Sequence, residues 1–365
     1  MPHTGPVRVL IVDDSAVMRQ LLTTLLSADP EIEVVGTAAD ALAARDRIKA
    51  LNPDVITLDI EMPGMDGVTF LRKIMTLRPM PVVMFSTLTQ AGAEVTLEAL
   101  EVGAVDFVAK PTSDVATAMA GLASELQSKV KAAARSRTHV RRSAPPARSR
   151  ERVKLKHPAN KVIVIGASTG GVEALKAVLM GLPSDCPPIV ITQHMPPRFT
   201  TAFAERLNRE CPMRVSEAAH GDRIEPGHAY IAPGAYHLEV ARQGSHLACA
   251  LSEAPPVSGH RPSVDVLFRS AARTVGSISV GVILTGMGKD GAQGMLELRR
   301  AGAVTLGQDE DSSLIYGMPR AAFEIGAVAR QYPLGDMADG IIEACNSESA
   351  AKHGDGHANR LSRAV

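Results

Sequence analysis

Three short stretches beyond residue 160 each carry one group of a nucleophilic relay. KVIVIGASTGGVEAL, residues 161–175, sets Ser168 between glycines in a literal G-x-S-x-G from Gly166 to Gly170. IVITQHMPPRFT places His194 directly after an apolar run, and VGVILTGMGKDGA places Asp290 in a glycine-rich loop after another. A serine hydroxyl becomes a nucleophile when an imidazole takes its proton and a carboxylate orients that imidazole. Glycines on both sides of Ser168 let the backbone turn tightly while the hydroxyl stays exposed. Pro196 and Pro197 fix the loop behind His194. A phosphate cradle fits the same loop poorly. A P-loop needs Lys-Ser or Lys-Thr after its last glycine, and Val172-Glu173 stand there instead. A Rossmann fingerprint needs glycine in place of Ser168, and Glu173 would repel phosphate at the helix start.

A second set of groups lies in the first 111 residues. Asp13 and Asp14 follow one apolar run, Asp59 ends a second, Ser86 ends a third, and Lys110-Pro111 follows a fourth. A DD pair alone reads as a helix cap. Here four strand ends agree, and three carboxylates at one edge repel one another unless a divalent cation joins them. Hard oxygen ligands suit Mg2+. The metal would screen an incoming phosphoryl group, the central carboxylate could attack it, and the lysine would pair with its charge.

The elements that must position these groups are legible as period and punctuation. VRVLIV (7–12), EIEVVG (31–36), DVITLD (54–59), PVVMFS (81–86) and AVDFVA (104–109) alternate with helical spacing. Five strands alternating with helices predict a parallel sheet covered on both faces, with ligands beyond the carboxyl ends of the strands. In the second block VIVI (162–165), IVIT (189–192), VGVIL (280–284) and AVTL (303–306) predict parallel strands. HLEVA and HLACAL, joined by RQGS, predict an antiparallel β-ribbon. Ser168, His194 and Asp290 then come from three strand ends on one rim. Their chain order, Ser…His…Asp, differs from the α/β-hydrolase order.

The chain has 365 residues, which at roughly 150 per domain suggests two. Residues 129–156 hold eleven Lys/Arg against one acidic residue, Glu151, and read as an exposed basic linker. The polar, small-residue tail after Asn346 is expected to be disordered. Formal net charge is zero, so attraction of the whole molecule to nucleic acid or membrane is not indicated. No run approaches the roughly 20 apolar residues of a membrane span. The four cysteines form no CxxC pair and read as reduced thiols of a cytoplasmic protein.

VDDS, LDIEMPGMDG, MFSTLT and DFVAKP resemble the receiver domain of two-component response regulators. That resemblance implies a flavodoxin-like fold over residues 1–125, with Asp59 as phospho-acceptor and Ser86 and Lys110 as conformational reporters. It implies Mg2+ held by Asp13, Asp14, Asp59 and the Glu61 backbone carbonyl, and a cis Lys110-Pro111 bond. IGASTGG, QHMPPRFT, YIAPG, GHRPSVDVLF, ILTGMGKDGA and YGMPRAA resemble the catalytic domain of chemotaxis protein-glutamate methylesterases. The whole is then α/β with two doubly wound domains: the receiver, a linker over 126–160, and a larger, mostly parallel catalytic domain over 161–346 with its ribbon. The resemblance implies Ser168 as nucleophile, His194 as base, Asp290 as its partner, and Thr169 and the Met287 N–H in substrate alignment and oxyanion binding. Lys289 stands where many members carry Asn. Partners implied are methylated chemoreceptor cytoplasmic domains and a chemotaxis histidine kinase, with no nucleic acid, no membrane insertion, a monomer, and no cofactor in the hydrolysis. Two rivals remain open at this point. One is a DNA-binding output fed by the receiver. The other is a nucleotide-dependent oxidoreductase built on Gly286–Gly291, a G-x-G-x-x-G match with Asp309 about 20 residues on.

Overall fold

The computed structural model describes residues 5–110, 115–136, 155 and 161–347. The Lys110-Pro111 bond, most of the basic linker and the tail beyond Ser347 lie outside the described residues.

The apolar runs of the first block become β1 (Val7–Val12), β2 (Ile32–Ala38), β3 (Val55–Asp59), β4 (Val82–Ser86) and β5 (Asp106–Ala109). They form one parallel sheet in the order β2-β1-β3-β4-β5. Around it lie α1 (Ala16–Ser27), α2 (Ala41–Leu51), α3 (Gly67–Leu77), α4 (Gln90–Val102) and α5 (Val115–Arg135). β3 and β4 are buried at every position, which is why they read as continuous apolar runs and not as alternation. The sheet has two apolar faces, one centred on Leu10, Ile56 and Met84 and the other on Val9, Ile11 and Val83. α5 runs through residues 126–135, which the sequence assigns to the linker. Leu126, Val130 and Ala133 keep its apolar face in the core, so the helix continues for as long as burial supports it.

The second block carries a seven-stranded sheet in the order β14-β13-β12-β6-β7-β9-β8, every pair parallel. The four expected strands are β6 (Val162–Ala167), β7 (Ile189–Gln193), β12 (Ser279–Ile283) and β13 (Val304–Gln308). Three further strands extend the edges: β8 (Arg214–Glu217), β9 (His228–Ile231) and β14 (Arg330–Tyr332). The ribbon is β10 (His237–Gln243) paired antiparallel with β11 (His246–Ser252), so the turn shrinks to Gly244 and Ser245. The helices are α6 (Gly171–Gly181), α7 (Phe199–Glu210), α8 (Val264–Thr274), α9 (Ala292–Arg300), α10 (Met318–Glu324) and α11 (Met337–Asn346).

β6 sits between β7 and β12, with Ala167 opposite Gln193 and Gly166 opposite Ile283. That order brings three carboxyl ends from distant parts of the chain to one rim. The first block packs against this rim through α4, β5 and α5. Phe107 of β5 stacks on Phe199 at the start of α7, ring centroids 4.5 Å apart, and Leu314 packs into the α5 side of the first core.

Candidate active site

Ser168 occupies the turn between β6 and α6, half-buried at the rim. The turn closes through Gly171 N–H donating to Ser168 O at 2.7 Å, and Gly170 has φ +78°, a conformation that side chains rarely adopt. Gln193 Nε2 donates to the same Ser168 carbonyl at 3.0 Å, and Ser168 N–H donates to Thr285 O at 3.1 Å. Thr285 begins the loop that leads to Asp290. A Cβ on Gly286 would lie 2.8 Å from Ser168 Cβ, so this loop can press against the serine only as glycine.

His194 continues from β7, its N–H donating to Ala167 O at 3.1 Å. Its Nε2 lies 2.8 Å from Asp290 Oδ2, and the two side chains are 7% and 1% exposed. Asp290 is cradled further. Ser263 Oγ donates to Oδ1 at 2.8 Å, Val264 N–H to Oδ2 at 2.7 Å and Asp265 N–H to Oδ1 at 3.2 Å. The carboxylate thus sits at the N-terminus of α8, where free N–H groups favour negative charge. Burial works against that charge, but the bonds from His194, Ser263 and Val264 outweigh it and hold Asp290 below the usual carboxylate range. With Nε2 donating to Asp290, the neutral ring keeps its lone pair on Nδ1. That atom is buried and has no hydrogen-bond partner.

The three groups do not form the continuous hydrogen-bonded series the sequence predicts. The His194–Asp290 link is made and the link from Ser168 Oγ to His194 is not. Such bonds are often loose without substrate and tighten in the complex. The first block also occupies this rim. Thr169, adjacent to Ser168, donates its hydroxyl in a very short bond to Asp106 Oδ2 of β5. Met287 is half-buried and lines a cleft of about 460 Å3, walled by Ser128, Ala132 and Arg135 of α5 and by Tyr316 and Arg320. Lys289 is exposed. Sequence reasoning passed over Ser263, Gln193 and Asp106; GHRPSVDVLF held the first, but no periodicity marks a cradle.

The second cluster lies at the other sheet's carboxyl edge, where β1 and β3 are neighbours. One carboxylate oxygen from each of Asp13, Asp14 and Asp59 falls within 4.8 Å of the others. The helix-cap reading fails, because Ser15 caps α1 by accepting from Met18 N–H at 3.3 Å. Asp13 Oδ2 and Asp59 Oδ2 are buried without hydrogen-bond partners, and orphaned acceptors converging in this way fit a hard divalent cation. Burial, then the Asp59 charge, pushes Asp13 up to about 6. Burial also raises Asp59, against the pull of Lys110, whose Nζ is 2.7 Å from Asp59 Oδ1. Ser86 faces away from this cluster. Its Oγ accepts from Thr96 Oγ1 of α4 at 2.7 Å and donates to Gly92 O at 3.3 Å. Glu61 follows Asp59, its N–H donating to Asp59 Oδ1 at 3.3 Å.

A family model described as CheB methylesterase matches residues 163–341, and one described as response regulator receiver domain matches residues 9–119. A protein-glutamate methylesterase/protein-glutamine glutaminase of Caulobacter vibrioides is 58% identical over 338 residues, 92% of this chain and 97% of that protein. The chain belongs to the protein-glutamate methylesterase/protein-glutamine glutaminase family. A methylesterase of the same description from Xanthomonas campestris pv. campestris is 54% identical over 349 residues, covering 92% of this chain and 97% of its own. The crystal structure of the Thermotoga maritima CheB methylesterase catalytic domain matches with TM-score 0.50 at 36% identity, over 51% of this chain and 98% of that one. Both rival readings of the second block fall away. The methylesterase match spans the Gly286–Gly291 loop, whose Asp290 is committed to His194 and α8. Asp309 closes its own turn, accepting from Ser312 N–H at 3.0 Å, instead of offering a ribose ligand.

Proposed function

We propose that this chain is a phosphorylation-regulated chemotaxis methylesterase in which Ser168 attacks, His194 moves the proton and Asp290 holds the imidazole. The buried His194–Asp290 bond beside Ser168 carries the reading. Ser168 Oγ attacks the carbonyl of a glutamate methyl ester on a chemoreceptor cytoplasmic domain, and His194 Nδ1 takes the hydroxyl proton. Asp290 keeps Nε2–H in place and stabilises the imidazolium. The Met287 N–H faces the tetrahedral oxygen, where one such donor is worth about 3–4 kcal/mol. The C–O bond to methanol breaks as His194 returns the proton. Water then attacks the acyl-serine by the same path, freeing the glutamate carboxylate and Ser168. With a glutamine side chain the same steps release ammonia, which is the deamidation.

Asp59 accepts the phosphoryl group from a chemotaxis histidine kinase. Asp13, Asp14, Asp59 and the Glu61 carbonyl would hold Mg2+, which supplies neutralisation of the phosphoryl charge. Lys110 already contacts Asp59 and pairs with the new charge. Ser86 turns from Thr96 toward the phosphoryl oxygens, releasing α4. The consequence reaches the esterase because α4 and β5 carry the contacts to the catalytic rim, Glu101 to Lys176 and Asp106 to Thr169. Thr169 cannot align substrate while Asp106 holds its hydroxyl. Phosphorylation therefore shifts the population toward an uncovered rim. On this reading the protein works as a monomer in the cytoplasm, where the receptor domains it acts on lie.

The test is methanol release from a methylated receptor, with and without a small phosphodonor. Ser168→Ala is expected to abolish release while Asp59 still takes up phosphoryl. An unchanged rate would remove Ser168 from the chemistry, and loss of both activities would indicate misfolding.

A further inference from the structure

His260 has no part in the steps above, yet its ring lies flat on the ring of His194. The centroids are 3.8 Å apart and the planes meet at 11°. The loop that presents it is tied down along its length. Val257 and His260 exchange both backbone hydrogen bonds, at 3.0 and 2.9 Å. Ser258 and Gly259 between them have φ of 54° and 81°, the geometry of a two-residue turn with both central residues left-handed. Arg261 Nη1 donates back to Glu253 O at 2.8 Å, and the fully buried His237 donates Nε2–H to Pro255 O at 3.1 Å. His237 Nδ1 in turn accepts from Ser263 N–H at 3.2 Å. Ser263 is the residue whose hydroxyl holds Asp290. One short segment thus places a flat ring on the face of His194 and a cradle around the carboxylate at its edge.

His194 needs such a support. Among the described residues its only side-chain hydrogen bond is to Asp290, and Nδ1 has no partner. A single bond at one nitrogen fixes that nitrogen but leaves the ring plane free to rock, and with it the direction of the Nδ1 lone pair. A stacked ring removes that freedom. We propose that His260 is a positioning residue for the esterase reaction: by stacking on His194 it sets the plane in which Nδ1 meets the serine hydroxyl. This deepens the proposed function and rests on His194 being the base. Burial, followed by the nearby His194, pushes His260 down to about 4, with Lys129 of α5 acting the same way and Asp290 and Glu125 opposing. A neutral ring offers the imidazolium formed during attack an aromatic face without a competing positive charge.

The test compares His260→Ala and His260→Phe with wild type in the full chain, phosphodonor present, measuring methanol release against methylated-receptor concentration. His260→Ala is expected to lower kcat about tenfold, the upper range for a stacked aromatic pair. KM should stay within about twofold, since the ring acts through His194 and not on substrate. His260→Phe, which keeps a flat ring and loses both nitrogens, should recover most of kcat. Equal rates for His260→Ala and wild type would overturn the proposal. So would a His260→Phe as slow as His260→Ala, or a loss confined to KM. If melting shows that His260→Ala does not fold, His260→Leu against His260→Phe makes the same comparison. A wild type that releases no methanol sinks the esterase reading and this role with it; an active wild type matched by His260→Ala sinks only the role.

Discussion

Glu101 offers a direct measure of what keeps the receiver on the catalytic rim. Its carboxylate, on α4, lies 2.7 Å from Lys176 Nζ on α6 and makes a very short contact with the Arg206 guanidinium on α7. Lys176 is shared with Glu210, at 2.6 Å. Glu101, Lys176 and Arg206 are only 18–27% exposed. Burial opposes the Glu101 charge, but the hydrogen bonds and charges of Lys176 and Arg206 outweigh it and hold the carboxyl below its usual range. A fully exposed pair would contribute about 0.2–1 kcal/mol. Two partly desolvated cations on one carboxylate place this network at about 1–2 kcal/mol. Glu101→Gln keeps the shape and removes the charge. At about 1.4 kcal/mol per factor of ten, the closed-to-open ratio should fall about 5–30-fold. Methanol release by the unphosphorylated protein should rise by up to that factor, capped at the phosphorylated rate, which should not change. Glu101→Lys, which sets three cations together, should raise the basal rate further. An unphosphorylated Glu101→Gln at the wild-type rate in low salt would refute the reasoning, since screening could not then explain the missing effect.

Asp290→Asn should lower kcat by about 10³–10⁴-fold with little change in KM, because an amide in that cradle cannot both accept from α8 and hold the Nε2–H tautomer; steady-state methanol release checks it. A second expectation concerns acid. Burial, then the Arg214 charge, pushes His228 down to about 4, where its Nε2 meets Ser216 Oγ at 2.8 Å. The unfolded chain binds this proton near pH 6.5 and the folded chain only near 4, so stability is full above about 6.5 and falls as pH drops through that window, by at most about 1.4 kcal/mol per unit. Thermal melting of His228→Phe between pH 7 and 4.5 should show a shallower fall than wild type; parallel curves would remove His228 as a cause.

Strong patterns confined to one element's length could be read from the residues alone. Buried parallel strands must be apolar throughout, so β1, β3, β4, β6, β7 and β12 stand out as runs, and the glycines and acids that end them mark the rim. β8 (RVSE) and β14 (RQY) are short edge strands whose exposed and polar residues erase the pattern, while β9 (HAYI), buried throughout, is only four residues long and opens on a histidine. Which rim residues meet depends on the folded chain as a whole. β12 lies more than a hundred residues beyond β6, and only the packing of the whole sheet makes them neighbours. The cradle of Asp290, the ring of His260 on His194, and the grip of Asp106 on Thr169 and of Glu101 on Lys176 likewise join positions with no common period. A local pattern records how one segment is buried, whereas these contacts depend on how separate segments are oriented once buried.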